Sequence, residues 1–207
     1  MKKLTILTGI LCMSAASLFG QTTKGNVIVD VYGGAPNWGN VLFKALQSDS
    51  ATNSGFKTNG GALSYGARVE YMMADNFGLG IDANYEVSGF GFNYQKQDQS
   101  SGTILTHRFD YTATKIRAMV RMNYHFAQTE LVDAYLGVGA GYRNVTRKTV
   151  DSGSYDSGNL NLGSGINPIA FRVAVGSRFY FTDMLGGMLE FGIGGGGIIQ
   201  FGVSAKF

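Results

Sequence analysis

Two histidines, His107 and His125, are the side chains in this sequence best suited to acid–base or metal chemistry. Asp110 and Ser101 lie near His107 along the chain, but a nucleophile, a base and an orienting carboxylate must share one face to act together. This grouping is no closer than chance would give, and His125 lies beside a predicted turn, where we expect a wetted interface residue. The two histidines are also far apart, so the sequence predicts neither an enzyme nor a metal site.

A glycine-rich segment, Gly192–Gly197, fits the G-x-G-x-x-G pattern of dinucleotide-binding loops. Such a loop must follow a strand and open a helix. Here another amphipathic strand follows the glycines. The segment is therefore predicted to be a hairpin turn, and no cofactor is expected.

The first twenty residues have the form of a secretory signal peptide, in which Lys2 and Lys3 precede a mostly apolar stretch. A membrane anchor would need about 20 apolar residues, and a lipoprotein would need a small residue before Cys12, where a leucine stands. We therefore assign 1–20 to the signal peptide and 21–207 to one domain. Removal of 1–20 takes away Lys2 and Lys3, so the remaining chain contains 15 of the 17 basic residues and all 14 acidic residues. This near-neutral balance argues against nucleic-acid binding.

Apolar and polar residues alternate along most of the remaining chain, which is the period of a half-buried strand. The eight predicted strands lie around 26–31, 63–71, 77–87, 115–124, 133–143, 171–179, 188–194 and 199–207. Their connections alternate between short turns and long polar loops, the long ones running through 36–60, 95–103 and 147–167, although the last hairpin is tight. Short turns at one end and long loops at the other are typical of transmembrane β-barrels.

Charged residues of both signs lie on the polar faces of these strands. They are Arg68, Glu70, Asp82, Glu86, Lys115, Arg117, Arg121, Arg178 and Glu190. Buried charges must be paired, and glycines such as Gly137 on the same faces would make room for arginines. A soluble barrel of the lipocalin type would place the apolar faces inside. The paired charges, the glycines and the aromatic residues at strand ends favour the opposite arrangement, with a lumen filled by a charge network and apolar faces in lipid.

The predicted fold class is all-β, an eight-stranded antiparallel up-and-down transmembrane β-barrel. An open sheet edge in hydrocarbon would leave backbone groups unpaired, so the first and last strands must pair. An even number of strands then places both termini on one side, which we expect to be the periplasm.

Four apolar residues, Trp38, Leu42, Phe43 and Leu46, interrupt the first polar loop. Their spacing predicts a short helix that caps the barrel mouth or lies at the lipid surface. The alternative is an exposed anchor for a partner, because exposed apolar patches mark interaction sites. The sequence does not identify the partner of the extracellular loops.

The last strand places apolar residues at alternate positions up to a terminal phenylalanine. These residues are Ile199, Phe201, Val203, Ala205 and Phe207. With the signal peptide and the eight strands, this segment resembles the small OmpA/OmpX-like outer-membrane barrels, and it is most similar to those common in the Bacteroidota. The resemblance implies a Gram-negative outer membrane, contact with lipid and lipopolysaccharide, a monomer, and a C-terminal signal read by the barrel-assembly machinery.

The function predicted from these observations is a non-enzymatic outer-membrane barrel with a structural or surface-interaction, adhesion-like role. One alternative is a narrow porin that translocates solutes. Open aqueous channels belong to barrels of about 16–18 strands, whereas eight strands enclose a lumen that side chains fill. The other alternative is a lipid-modifying enzyme of the outer membrane.

Overall fold

The structure, a computed structural model, describes residues 22–45, 53–61, 63–97, 102–152 and 168–207. The predicted signal peptide, Leu46, Ser101 and the greater part of 147–167 lie outside the described residues.

One helix and nine strands make up the described part of the chain. They are β1 (Val27–Asn37), α1 (Trp38–Ala45), β2 (Asn53–Asn59), β3 (Ser64–Ala74), β4 (Phe77–Gln97), β5 (Ile104–Gln128), β6 (Val132–Asp151), β7 (Ile169–Tyr180), β8 (Leu185–Gly194) and β9 (Gly197–Lys206). No helix among these residues is long and apolar enough to cross a membrane.

Eight of the described strands form a closed antiparallel ring. Apart from β2, each strand pairs with its neighbours along the chain, and β1 also pairs with β9, with Val29 opposite Ala205. Each of these eight strands therefore pairs with a neighbour on both sides in the lower part of the barrel, as lipid requires. The predicted eight-stranded up-and-down barrel is confirmed.

The barrel carries its apolar side chains on the outside and its charges on the inside. Val120 and Val203 are 58% and 61% exposed, whereas Arg121 and Glu190 are buried. A soluble barrel of the lipocalin type would show the reverse. Exposed aromatic rings, among them Tyr71, lie near the short turns. The others at this end are Tyr124, Phe126, Phe179, Phe181 and Phe207.

Strands β4 and β5 extend far beyond the predicted ends near Val87 and Lys115, and they remain paired as far as Gln97 and Ile104. The ten residues from Ser88 to Gln97 add about 30 Å of strand. The predicted ends of these two strands are therefore wrong.

In this extension the inward face of the sheet becomes apolar and the outward face becomes polar, the reverse of the barrel below. Along β4 the inward positions change from Asp82 and Glu86 to the buried rings of Phe90 and Phe92. Along β5 the outward positions change from exposed Ile116 to polar residues such as Arg108 and Asp110. A sheet with apolar residues inside and polar residues outside suits water, so the exchange marks the upper limit of the lipid-facing band.

Helix α1 and strand β2 occupy the segment that the sequence predicts to be a long polar loop. The described residues confirm the short helix there, and β2 adds to the edge of β4 above β3. The ring of Phe43 lies 5.0 Å from Phe90 and that of Phe56 lies 5.9 Å from it. The extension therefore has an aromatic core of its own, built on Phe90, Phe92, Tyr94, Phe109 and Tyr111.

Candidate functional site

The carboxylate of Glu190 lies at the centre of the barrel interior. It accepts hydrogen bonds from Arg68 Nη2 at 3.0 Å, from Arg172 Nε at 2.8 Å and from both terminal nitrogens of Arg121. The Tyr135 hydroxyl donates a further bond at 2.9 Å. All five side chains are buried, and their contacts link β8 to β3, β5, β6 and β7 through the interior.

A second cluster surrounds Arg178 nearer the short turns. Its guanidinium contacts Asp30 at 2.9 Å, Glu70 at 2.6 Å and Asp133 at 3.2 Å. His125 lies between two of these acids, with Nδ1 2.6 Å from Asp133 and Nε2 2.9 Å from Glu70. The expectation that His125 is a wetted interface residue is therefore wrong. It shares the inward parity of Arg121 on β5, and this signal could have placed it in the lumen.

A third cluster lies at the upper end of the lumen around Glu86. Lys115 Nζ lies 3.0 Å from Glu86, and Arg117 Nη1 lies 2.8 Å from it and also donates to Asn84. Asp82 pairs with Arg68 at 3.2 Å in the central cluster. The structure thus brings the nine predicted charges to the interior, but in three groups at different levels.

Five acidic, basic or histidine side chains of this interior are missing from the predicted set. They are Asp30, His125, Asp133, Arg172 and Lys206. With them, the described interior holds six buried carboxylates, five buried arginines and the buried Lys206, and Lys115 lies beside Glu86. Apolar Ile28 shares the inward face of Asp30, so β1 lacks the clear polar face of the other strands.

Large side chains fill the remaining space because glycines lie opposite them. A Cβ atom on Gly176 would lie 2.6 Å from the Tyr135 ring, and one on Gly137 would lie 2.5 Å from Arg121. Tyr135 in turn packs against the Arg178 guanidinium, 4.6 Å from the ring centre. The interior is a packed, ion-paired plug.

The described residues do not assemble a catalytic group from the histidines. The His107 ring packs beside Tyr94, and Asp110 accepts hydrogen bonds from Arg108 and Asn59, of which the Arg108 bond lowers the pKa of its carboxyl most. Both nitrogens of His125 face carboxylates. Among these residues there is also no cluster of His, Cys, Asp and Glu able to hold a metal ion.

A cavity of about 430 Å³ lies above the plug, at the level where the strands leave the apolar band. Its walls come from α1, from the inward faces of β5 and β6, and from the upper ends of β7 and β8. They are Gly39, Leu42, Phe43, Tyr111, Ala113, Lys115, Arg117, Arg143, Val145, Ile169, Ala170, Phe171, Gly194 and Gly195.

The structure places the residues of the predicted loop anchor in different environments. Leu42 is 48% exposed at the cavity, whereas Phe43 packs against Phe90 and Tyr111 in the core of the extension. Phe43 is therefore not part of an exposed anchor, because its ring is needed to cover the inward aromatic face. Trp38 is the first residue of α1, and Leu46 lies outside the described residues.

The last strand closes the ring next to β1. Phe201, Val203 and Phe207 are exposed on the outer surface. The Phe207 backbone donates to Val27 O at 2.8 Å and accepts from Val27 N at 2.9 Å. A role of this strand in assembly remains a prediction.

No protein-family model matches this sequence, and no curated protein is significantly similar to it. Among solved structures, the chain is similar to the outer membrane protein OprG from Pseudomonas aeruginosa, with a TM-score of 0.51 and 12% identity over 91% of this chain and 98% of that one. It is also similar to the N-terminal β-barrel domain of Pseudomonas aeruginosa OprF, with a TM-score of 0.45 and 13% identity over 89% of this chain and 99% of that one. The fold of this chain is that of an outer-membrane β-barrel.

Proposed function

We propose that this protein is a non-enzymatic, non-conducting barrel of a Gram-negative outer membrane, with both termini in the periplasm and an extracellular extension that serves surface interactions. The observation that carries the proposal is the exchange of faces within continuous strands. Below the exchange the sheet is apolar outside and charged inside, and above it the sheet is polar outside and aromatic inside.

The height of the apolar band supports membrane insertion. On β7 the exposed rings of Phe171 and Phe179 are eight residues apart. This separation corresponds to about 20 Å across the membrane after a strand tilt of about 40° is included. Outer-membrane barrels carry an apolar band of roughly 25 Å between aromatic girdles.

The ends of the barrel support the orientation. Asn26 Nδ2 donates to Phe207 O, and Lys24 N donates to Asp75 in the turn between β3 and β4, so both described ends lie beside the short turns. Short turns are periplasmic and longer connections are extracellular in such barrels. Helix α1, β2 and the extended ends of β4 to β6 would then project from the cell.

The orientation can be tested with single cysteines, because the sequence has one cysteine, Cys12, and it lies in the predicted signal peptide. Leu105→Cys places a thiol on the extension, and Asp183→Cys places one in a short turn; both positions are exposed. A membrane-impermeant maleimide added to intact cells should label the first variant and should label the second only after permeabilisation. The opposite pattern would reverse the proposed orientation.

Conductance separates this proposal from the porin alternative. Opposite charges at contact distance in a dry interior hold one another, since separation would leave each ion buried and unpaired. Refolded protein in a planar bilayer should give no stable unitary currents. Reproducible channels whose ion selectivity changes in Arg121→Glu would favour a porin. Turnover of labelled phospholipid or lipopolysaccharide would favour the enzyme.

A further inference from the structure

Beyond this role, we propose that the cavity above the plug binds a single-chain anionic amphiphile, a long-chain carboxylate, with its headgroup at Lys115, Arg117 and Arg143 and its chain along Leu42, Val145 and Phe171. The cavity volume of about 430 Å³ lies within the range of roughly 300–1,000 Å³ for small-molecule sites. The proposed function requires no ligand.

The charges of the cavity point to an anion. Three lining side chains are basic, and the described lining contains no acidic residue. Glu86, which lies just below, pairs with both Lys115 and Arg117. Arg147 lies on the same inward face of β6. Guanidinium groups bind carboxylates through paired, charge-assisted hydrogen bonds.

The remaining lining points to a hydrocarbon chain. Leu42 and Phe43 come from α1, Tyr111 and Val145 from the extension, and Phe171 from the top of β7. Small residues beside the basic groups leave space near the headgroup position. A Cβ on Gly39 would lie 2.6 Å from Lys115 Nζ, and one on Gly195 would lie 2.7 Å from Arg117.

Among the described residues, the top of β7 bounds one side of this cavity. Pairing of β6 with β7 ends at Tyr142 and Ile169, whereas β6 remains paired with β5 as far as Asp151. The nine residues from 143 to 151 correspond to about 30 Å of strand. Ile169 and Phe171 line the cavity and are also more than half exposed on the outer surface. These two side chains therefore join the cavity to the outer apolar surface.

The sequence provides a single tryptophan, Trp38, at the start of α1, as a fluorescent reporter. The refolded protein in zwitterionic lipid nanodiscs would be titrated with 12-bromododecanoate, a quencher, and with neutral 12-bromododecanol. We expect saturable quenching by the carboxylate. The alcohol should quench in proportion to its partitioning into lipid.

Two variants and one matched control separate the headgroup from the chain. Arg143→Gln should weaken carboxylate binding about 10-fold to 100-fold, the effect of one charged hydrogen bond. Lys148→Gln makes the same change in charge on the outward face of β6 and should leave binding unchanged. Leu42→Asn should also weaken binding, while heat-modifiable migration shows that each variant is folded.

Equal affinities of Arg143→Gln and Lys148→Gln, or equal quenching by carboxylate and alcohol, would overturn the proposal. Loss of saturable quenching when phosphatidylglycerol replaces the zwitterionic lipid would assign the basic site to a lipid headgroup instead. Channel currents would overturn the proposed function and leave this result intact, so the two proposals can fail separately.

Discussion

The carboxylate of Glu190 is the group whose neutralisation tests the charged interior most directly. It is fully buried and faces the guanidinium groups of Arg68, Arg121 and Arg172. Glu190→Gln preserves the size of the side chain but removes its charge. It also turns an amide NH₂ toward groups that only donate hydrogen bonds.

The expected cost follows from the partners that the arginines retain. Removing one partner of a buried ion pair costs about 3–5 kcal/mol, because the other charge stays buried without compensation. Arg68 and Arg121 keep Asp82, at 3.2 and 3.4 Å. Arg172 keeps the carbonyl oxygens of Gly195 and Gly197. We therefore expect a loss near the lower limit, about 3 kcal/mol in the free energy of unfolding.

Urea unfolding of the barrel from lipid vesicles, followed by tryptophan fluorescence and heat-modifiable migration, measures this loss. Glu130→Gln makes the same change at an exposed turn and should change stability by less than about 0.5 kcal/mol. Adding Arg172→Gln to Glu190→Gln should recover part of the loss, since it removes the uncompensated cation. Equal stabilities of Glu190→Gln, Glu130→Gln and the native protein would show that water screens the interior, and the plug would be refuted.

Two further substitutions test the outer surface. Val120→Arg, midway along the apolar band of β5, should lower the free energy of unfolding in vesicles by about 2–4 kcal/mol. Val150→Arg, which is similarly exposed but lies on the extension, should leave it nearly unchanged. Equal losses in the two variants would contradict the lipid boundary. Phe207→Asp should lower the amount of folded, heat-modifiable barrel in the outer membrane, because it alters the strand that closes the ring. Phe181→Asp, in a turn near the same end, should not, and equal yields would remove Phe207 from the assembly signal.

The barrel strands could be predicted because a lipid-facing surface requires outward apolar and inward polar residues to alternate over the whole membrane height. The strand ends in the extension could not be predicted, because the apolar residues there lie on the inward face. Phe90, Phe92 and Tyr94 alternate with Gly91 and Asn93, so the strand period persists while the apolar face turns inward. The outward face has no apolar side chain at Gly89, Gly91 or Asn93, so the outward pattern alone predicts that the strand ends near Val87. The inward residues of 88–97 taken alone predict a strand with an aromatic face.

The sequence pattern does not show which charged residues pair across the lumen, and the reason is geometric. Arg178 and Asp30 pair on strands that are distant along the chain, and so do Arg121 and Glu190. Which levels meet across a barrel depends on its shear and strand tilt. The alternation assigns a charge to the interior, but only the closed ring shows which acid it contacts.

The charged residues of the interior differ between the plug and the proposed cavity above it. Below Glu86 each of the five buried acids contacts at least one buried arginine. At Glu86 the inward faces of β5 and β6 carry Lys115, Arg117 and Arg143, and the inward face of β5 then becomes apolar at Ala113, Tyr111 and Phe109. The proposed ligand therefore binds at these cations, above the ion pairs that fill the described part of the lumen. Binding at this site should be insensitive to substitutions at Glu190 that leave the barrel folded.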